Sequence, residues 1–185
     1  MNTHLAHHTM PHIQPGPLPQ DVLLKRYELD RAYTDCYHMD MPRAISFTEY
    51  VAAFYTTPLL KVERLFLAVF GRRPSTDLNA QELAAGQISQ FAVWNVEARA
   101  HNQLLMSDYL GQTRSWFMLV PAPNGDPGMT RLYFGSAVMP QSKSASGEPK
   151  FSWAFRLLFG FHRLYTKALM RAVHGRLMRP AHNDH

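Results

Sequence analysis

The segment 151–178, FSWAFRLLFGFHRLYTKALMRAVHGRLM, constrains the fold most. At about 100° per residue, Phe151, Phe155, Leu158, Phe161, His162, Tyr165, Leu169, Ala172 and Val173 fall on one helical face. Arg156, Arg163, Lys167 and Arg171 fall on the other, and Pro180 stops the pattern. Such a stripe marks an amphipathic helix that must lay its apolar face on something large. It excludes a membrane span, because four cations on one side have no place at a bilayer centre. No stretch of 18 or more apolar residues is free of charge elsewhere either, so no spanning helix is expected.

Upstream, the pattern changes twice. Residues 1–20 hold four prolines and no Lys, Arg, Asp or Glu, so 1–22 reads as a disordered tail. Its His4, His7, His8 and His12 are too loosely set to specify a metal site. The run RYELDRAYTDCYHMDMP is Tyr-rich and bounded by Pro42, which predicts one extended strand. Ser46 and Glu49 have capping-box spacing and open a short helix. Thr57 and Pro58 restart it, and the pattern runs on to Gly71. Another short helix is expected in NAQELAA, ending at Gly86.

From Gln90 onward, FAVWNVEAR, NQLLMSDYL, TRSWFMLV and TRLYFGSAVM read as strands. The connections AH and GQ are short, and PAPNGDPGM carries the turn pair Asn124-Gly125, so the strands form an antiparallel meander. Residues 23–179 are thus one domain, with a second tail at 180–185. The fold class is α+β: a curved antiparallel sheet around a long C-terminal helix, with two short helices after the first strand.

Register decides which side chains share a face. If Ala100 and His101 form the first hairpin loop, Glu97 faces Leu104 and Trp94 faces Ser107. A two-residue GQ loop next places Trp116 on the face of Trp94 and aligns Asp108 with Ser115. A three-residue YLG loop, with Gly111 left-handed, places Arg114 and Trp116 with Glu97 and Asp108. Glu97, Asp108 and Arg114 then form a polar cluster, either an outer salt-bridge network or a patch inside a cavity.

Charge is unevenly placed. Net charge is +5, and residues 150–185 hold seven of the 19 Lys/Arg but only one of the 14 acids, Asp184. That distribution does not favour nucleic acid, whose partners spread Lys/Arg across a face. It fits a solvated basic face on a core helix, or shallow docking on an anionic membrane through Arg156, Arg163, Lys167 and Arg171. The single cysteine, Cys36, allows no intrachain disulfide or cysteine metal cluster and fits a reducing, cytoplasmic setting. The N-terminus lacks the basic and apolar regions of a signal peptide. No Gly-rich phosphate loop, HExxH, CxxC or GxSxG occurs, and Ser152 has no triad order, so no metal or cofactor is expected. The state of self-association is left open.

The order of elements over 26–178, with FYTTPLLKVERL, TRLYFGSAVMP and FGFHRLYTKALM, resembles an uncharacterised bacterial branch of the START-like helix-grip superfamily of polyketide cyclases and lipid-transfer proteins. The resemblance implies an apolar cavity between the last helix and the sheet, holding a lipid or other hydrophobic small molecule. Its wall candidates are Trp94, Trp116, Phe134, Phe155, His162 and Tyr165. His162 is either a hydrogen-bonded core group or the residue that orients a ligand's polar end. The enzyme alternative is a cyclase or dehydratase, with His162 as base and Tyr165 or Arg114 as oxyanion partner.

Overall fold

The computed structural model describes residues 11–30, 32–62, 75–123, 127–140, 142–143, 149–150 and 153–179. Side chains of 142–143, 149–150 and 153–162 lie outside that description, as does the expected turn at Asn124-Gly125. The elements run β1 (Gln14–Pro15), α1 (Lys25–Leu29), β2 (Tyr33–Met41), α2 (Phe47–Tyr55), α3 (Asp77–Ala84), β3 (Gln90–Phe91), β4 (Trp94–Ala100), β5 (Gln103–Asp108), β6 (Thr113–Pro121), β7 (Thr130–Val138), a separate pair β8 (Ser142–Lys143) and β9 (Pro149–Lys150), and α4 (Trp153–Leu177). Seven strands form one antiparallel sheet in the order β1-β2-β7-β6-β5-β4-β3. The protein is therefore α+β, with a C-terminal helix beside an antiparallel sheet. No helix among the described residues is long and apolar enough to cross a membrane.

Local signals explain most boundaries. The Ser46 hydroxyl accepts from the Glu49 amide at 3.1 Å and caps α2. The Glu49 carboxylate does not close the box. It accepts from Arg43 Nη2 at 2.5 Å, and Arg43 also donates to the Leu177 carbonyl at 2.6 Å. One arginine thus ties the start of α2 to the end of α4. Thr57 caps the helical residues 58–62, its hydroxyl accepting from the Leu60 amide at 3.4 Å. The continuation towards Gly71 lies outside the described residues. Thr76 and Asn79 form a full capping box on α3.

Two expectations need correction. The run from Arg26 is not one strand: Lys25–Leu29 is helical, and β2 begins at Tyr33. Leu24 and Tyr27, three apart, are buried together, and that spacing is helical. Nor is 11–22 a tail. Gln14 and Pro15 pair with His38 and Tyr37, and Leu18 and Val22 are buried. A stretch without charge has the composition of a buried arm as much as of a solvated one. Residues 1–10 and 180–185 lie outside the described residues.

The sheet is covered on both sides. Tyr37, Phe134, Phe117 and Leu104 stand in one cross-strand row and pack under α2 and α4. One residue along, Cys36, Gly135, Trp116 and Leu105 face the other way, beneath the N-terminal arm and α1. There Gln103 binds two donors with one oxygen, Trp116 Nε1 at 2.9 Å and the Leu23 amide at 3.0 Å. Burial, then the charge of Asp35, pushes the Cys36 thiol up to about 12.

Gly135 is required by this packing. A Cβ there would lie 2.8 Å from the Asp35 carbonyl oxygen and 3.0 Å from the Trp116 ring. Gly135→Ala is expected to cost about 1–3 kcal/mol by overpacking, read as a lower urea midpoint at unchanged m.

His38 supplies a pH test. Burial, then the nearby Arg131, holds its imidazole below the ordinary 6.5; Asp40 opposes the shift and His12 adds to it. The unfolded chain then binds more protons than the native one as pH falls below 6.5. Stability is therefore full above 6.5 and declines until pH passes the native value. His38→Phe should flatten that part of the stability-versus-pH curve, measured by urea unfolding.

Candidate functional site

Among the described elements, α4 rests chiefly on α2. Phe54 of α2 stacks on Phe134 at 4.9 Å and meets Phe117 edge-on at 4.7 Å. These rings separate α4 from the sheet, and a cavity of about 190 Å³ remains between them. Phe54, Tyr55 and Leu60 close it on one side, Tyr165, Thr166 and Leu169 line it from α4, and Trp94 and Phe134 stand on the sheet. Aromatic walls of this kind bury flat apolar groups well.

The strand floor carries hydroxyls: Thr113, Ser115 and Ser136. Carboxylates stand beside two of them. Ser136 Oγ donates to Asp35 Oδ1 at 2.5 Å, and the Ser136 amide donates to the same oxygen at 3.0 Å. The Tyr33 hydroxyl donates to Asp35 Oδ2 at 3.4 Å, and burial followed by the Asp35 charge pushes its pKa up. Thr113 Oγ1 donates to Asp108 Oδ2 at 3.1 Å, while Asp108 Oδ1 accepts from the Gln112 amide at 2.8 Å.

Of the expected wall residues, Trp94, Phe134 and Tyr165 line this cavity. Trp116 does not. It is fully buried on the opposite face, because Gly135 opposite it leaves room there for the indole. Phe155 and His162 lie on α4, but their side chains fall outside the described residues. The same holds for Arg156. Arg163 and Arg171 are exposed, and Lys167 is half-buried.

The polar cluster divides. The first hairpin loop is His101-Asn102, with Ala100 opposite Gln103, not Ala100-His101. A bulge between Val96 and Ala98 then sets Trp94 opposite Asp108, not Ser107, and turns Glu97 to the outer face. There Glu97 accepts from Arg114 Nε at 2.6 Å and from the Tyr27 hydroxyl, with Arg26 alongside. Asp108 joins neither, since it stands opposite Trp94 and, across a turn with Gly111 at φ +66°, accepts from the Thr113 hydroxyl on the cavity face. The Arg114 guanidinium therefore cannot serve as an oxyanion partner beneath α4.

Sequence reasoning missed the hydroxyls. Strand parity could have found Ser136, which must share a face with Phe134 two residues earlier. A wider groove of about 700 Å³ lies at the far end, between α2, α3 and the end of α4. Charged and apolar groups share its walls, Arg43, Glu49, Asp77 and Arg176 beside Ala52, Ala53, Leu177 and Met178, and the Arg43–Glu49 ion pair lies within it. Its lining is more polar than that of the cavity under α4. No group of three or more metal-ligating side chains occurs among the described residues. Comparison with protein-family models, with curated proteins and with solved structures finds no match to the chain.

Proposed function

We propose that the protein binds or carries a hydrophobic small molecule in the cavity under α4, and that its architecture is a START-like helix grip. The observation that carries this reading is an aromatic-walled space of about 190 Å³ with hydroxyls on one wall. A few polar groups on an apolar wall are what orients a ligand without driving it off. The site sits on strands and helices, which hold geometry better than loops do. Its size bounds the guest. Sites for drug-sized molecules run to about 300–1,000 Å³, so a whole acyl chain or polyketide is too large. No charged side chain among the described residues is directed into the cavity from α2 or α4, so binding rests on burial and hydrogen bonds.

The test uses the full chain and toluene as an apolar probe. Ligand that binds only the native state raises stability by about 2.7 kcal/mol at a hundredfold excess over Kd. Toluene is expected to raise Tm, and denaturing extraction of protein purified without it should release a small aromatic compound or nothing. Ser115→Leu fills the cavity from β6 and should abolish the toluene shift while the far-ultraviolet spectrum stays native. A wild-type Tm that ignores saturating toluene would show that the space takes no guest.

A further inference from the structure

We infer that the outward face of α4 docks on an anionic phospholipid bilayer. Lys167 and Arg171 take headgroup phosphates, and Leu164 and Met178 enter the boundary of the acyl region. This surface is separate from the cavity beneath the same helix, and it stands whether or not that cavity holds a guest.

The first observation is where carboxylates are missing. Lys25, Arg26, Arg43, Lys61, Arg114 and Arg131 each form an ion pair with an acid. Arg99 is held by the Leu83 carbonyl at 2.8 Å. α4 contains no Asp or Glu from Trp153 to Leu177. No carboxylate among the described residues forms an ion pair with Lys167 or Arg171. The helix dipole accounts for Arg176 in the last turn, but its effect fades within that turn, and Lys167 and Arg171 stand further up. Charge that the fold leaves unneutralised on one face attracts a partner of opposite sign. Arg163 extends the row by a turn, but its charge also acts on Tyr33, so Lys167 and Arg171 carry the argument.

The second observation selects the partner. At about 100° per residue, Leu164, Lys167, Arg171 and Met178 fall within about 60° of one another. Leu169, Val173 and Leu177 are buried on the opposite side. Leu164 is 71% exposed and Met178 42% exposed, so the outward stripe mixes cations with bare apolar side chains. The phosphates of a nucleic acid would engage the cations and leave Leu164 and Met178 in water. A bilayer surface engages both, with phosphates at the level of the cations and an apolar boundary just beneath. The docking is shallow, since no helix among the described residues is long and apolar enough to cross a membrane.

The experiment is co-sedimentation of the full chain with vesicles of phosphatidylcholine, alone or with about 30% phosphatidylglycerol. Binding is expected only to the anionic vesicles, and raising salt from about 0.1 M to about 0.5 M should release the protein. Lys167→Gln with Arg171→Gln should weaken binding about tenfold. Gln20→Glu with Gln87→Glu lowers net charge equally at exposed positions outside α4 and should change binding less than about threefold. Leu164→Gln should weaken binding and leave its salt dependence unchanged. Arg171→Glu alone, at an exposed position, gives the same readout if the double variant folds poorly. No binding to the anionic vesicles, equal binding to phosphatidylcholine alone, or an equal loss in the charge-matched control would overturn the proposal. So would tighter binding to duplex DNA than to anionic vesicles at the same salt, which would give this face to nucleic acid.

Discussion

The contact of Phe54 with Phe134 and Phe117 sets the spacing of the whole helical layer. A long amphipathic helix laid directly on a sheet would pack its apolar face against the strands and leave no room between. Here α2 takes the contact first, and α4 leans on α2. Leu169, Met170, Val173 and Leu177 bury themselves in that junction at the C-terminal end of α4. Towards the middle, at Tyr165 and Thr166, the helix spans open space. The cavity is thus a consequence of which residue touches the sheet, and it needs no special loop to form it.

The second constraint is the two-sidedness of the sheet. Neighbouring residues Trp116 and Phe117 are both fully buried, on opposite faces. That is possible only because the N-terminal arm and α1 cover the face that α2 and α4 leave bare. Tyr27 links the covers to the sheet through Glu97 and Arg114. The ion pair is partly shielded from water and shared with a hydroxyl, so removing one partner costs more than an exposed pair would. On the helical side the corresponding polar residues, Asp35 and Ser136, look inward.

Much of the scaffold was legible because its signals are local. The caps at Ser46 and Thr57, the four strand runs and the amphipathic segment after Phe151 follow from nearest neighbours and periodicity. Register was not legible, because one bulge residue at Val96/Ala98 moves every later side chain to the other face. That is why Trp94, Phe134 and Tyr165 come together while Trp116 departs, and why Asp108 parts from Glu97. The arm was misread for a different reason. Pro15, Gly16 and Pro17 look like tail chemistry, yet proline is also at home at a sheet edge, where its missing N–H costs nothing. The hydroxyl floor was invisible until parity was known, because isolated serines and threonines carry no periodic signal.

The two outer places of the seven-stranded sheet are filled by β1 and β3, each only two residues long. Pro15 occupies one of them, and the left-handed Ala92 kinks the chain straight after the other. Each of the two strands covers only two residues of its neighbour, Tyr37 and His38 of β2 and Trp94 and Asn95 of β4. The ladder at both margins is therefore brief, and Pro15 and the turn at Ala92 break it rather than extend it towards a second chain.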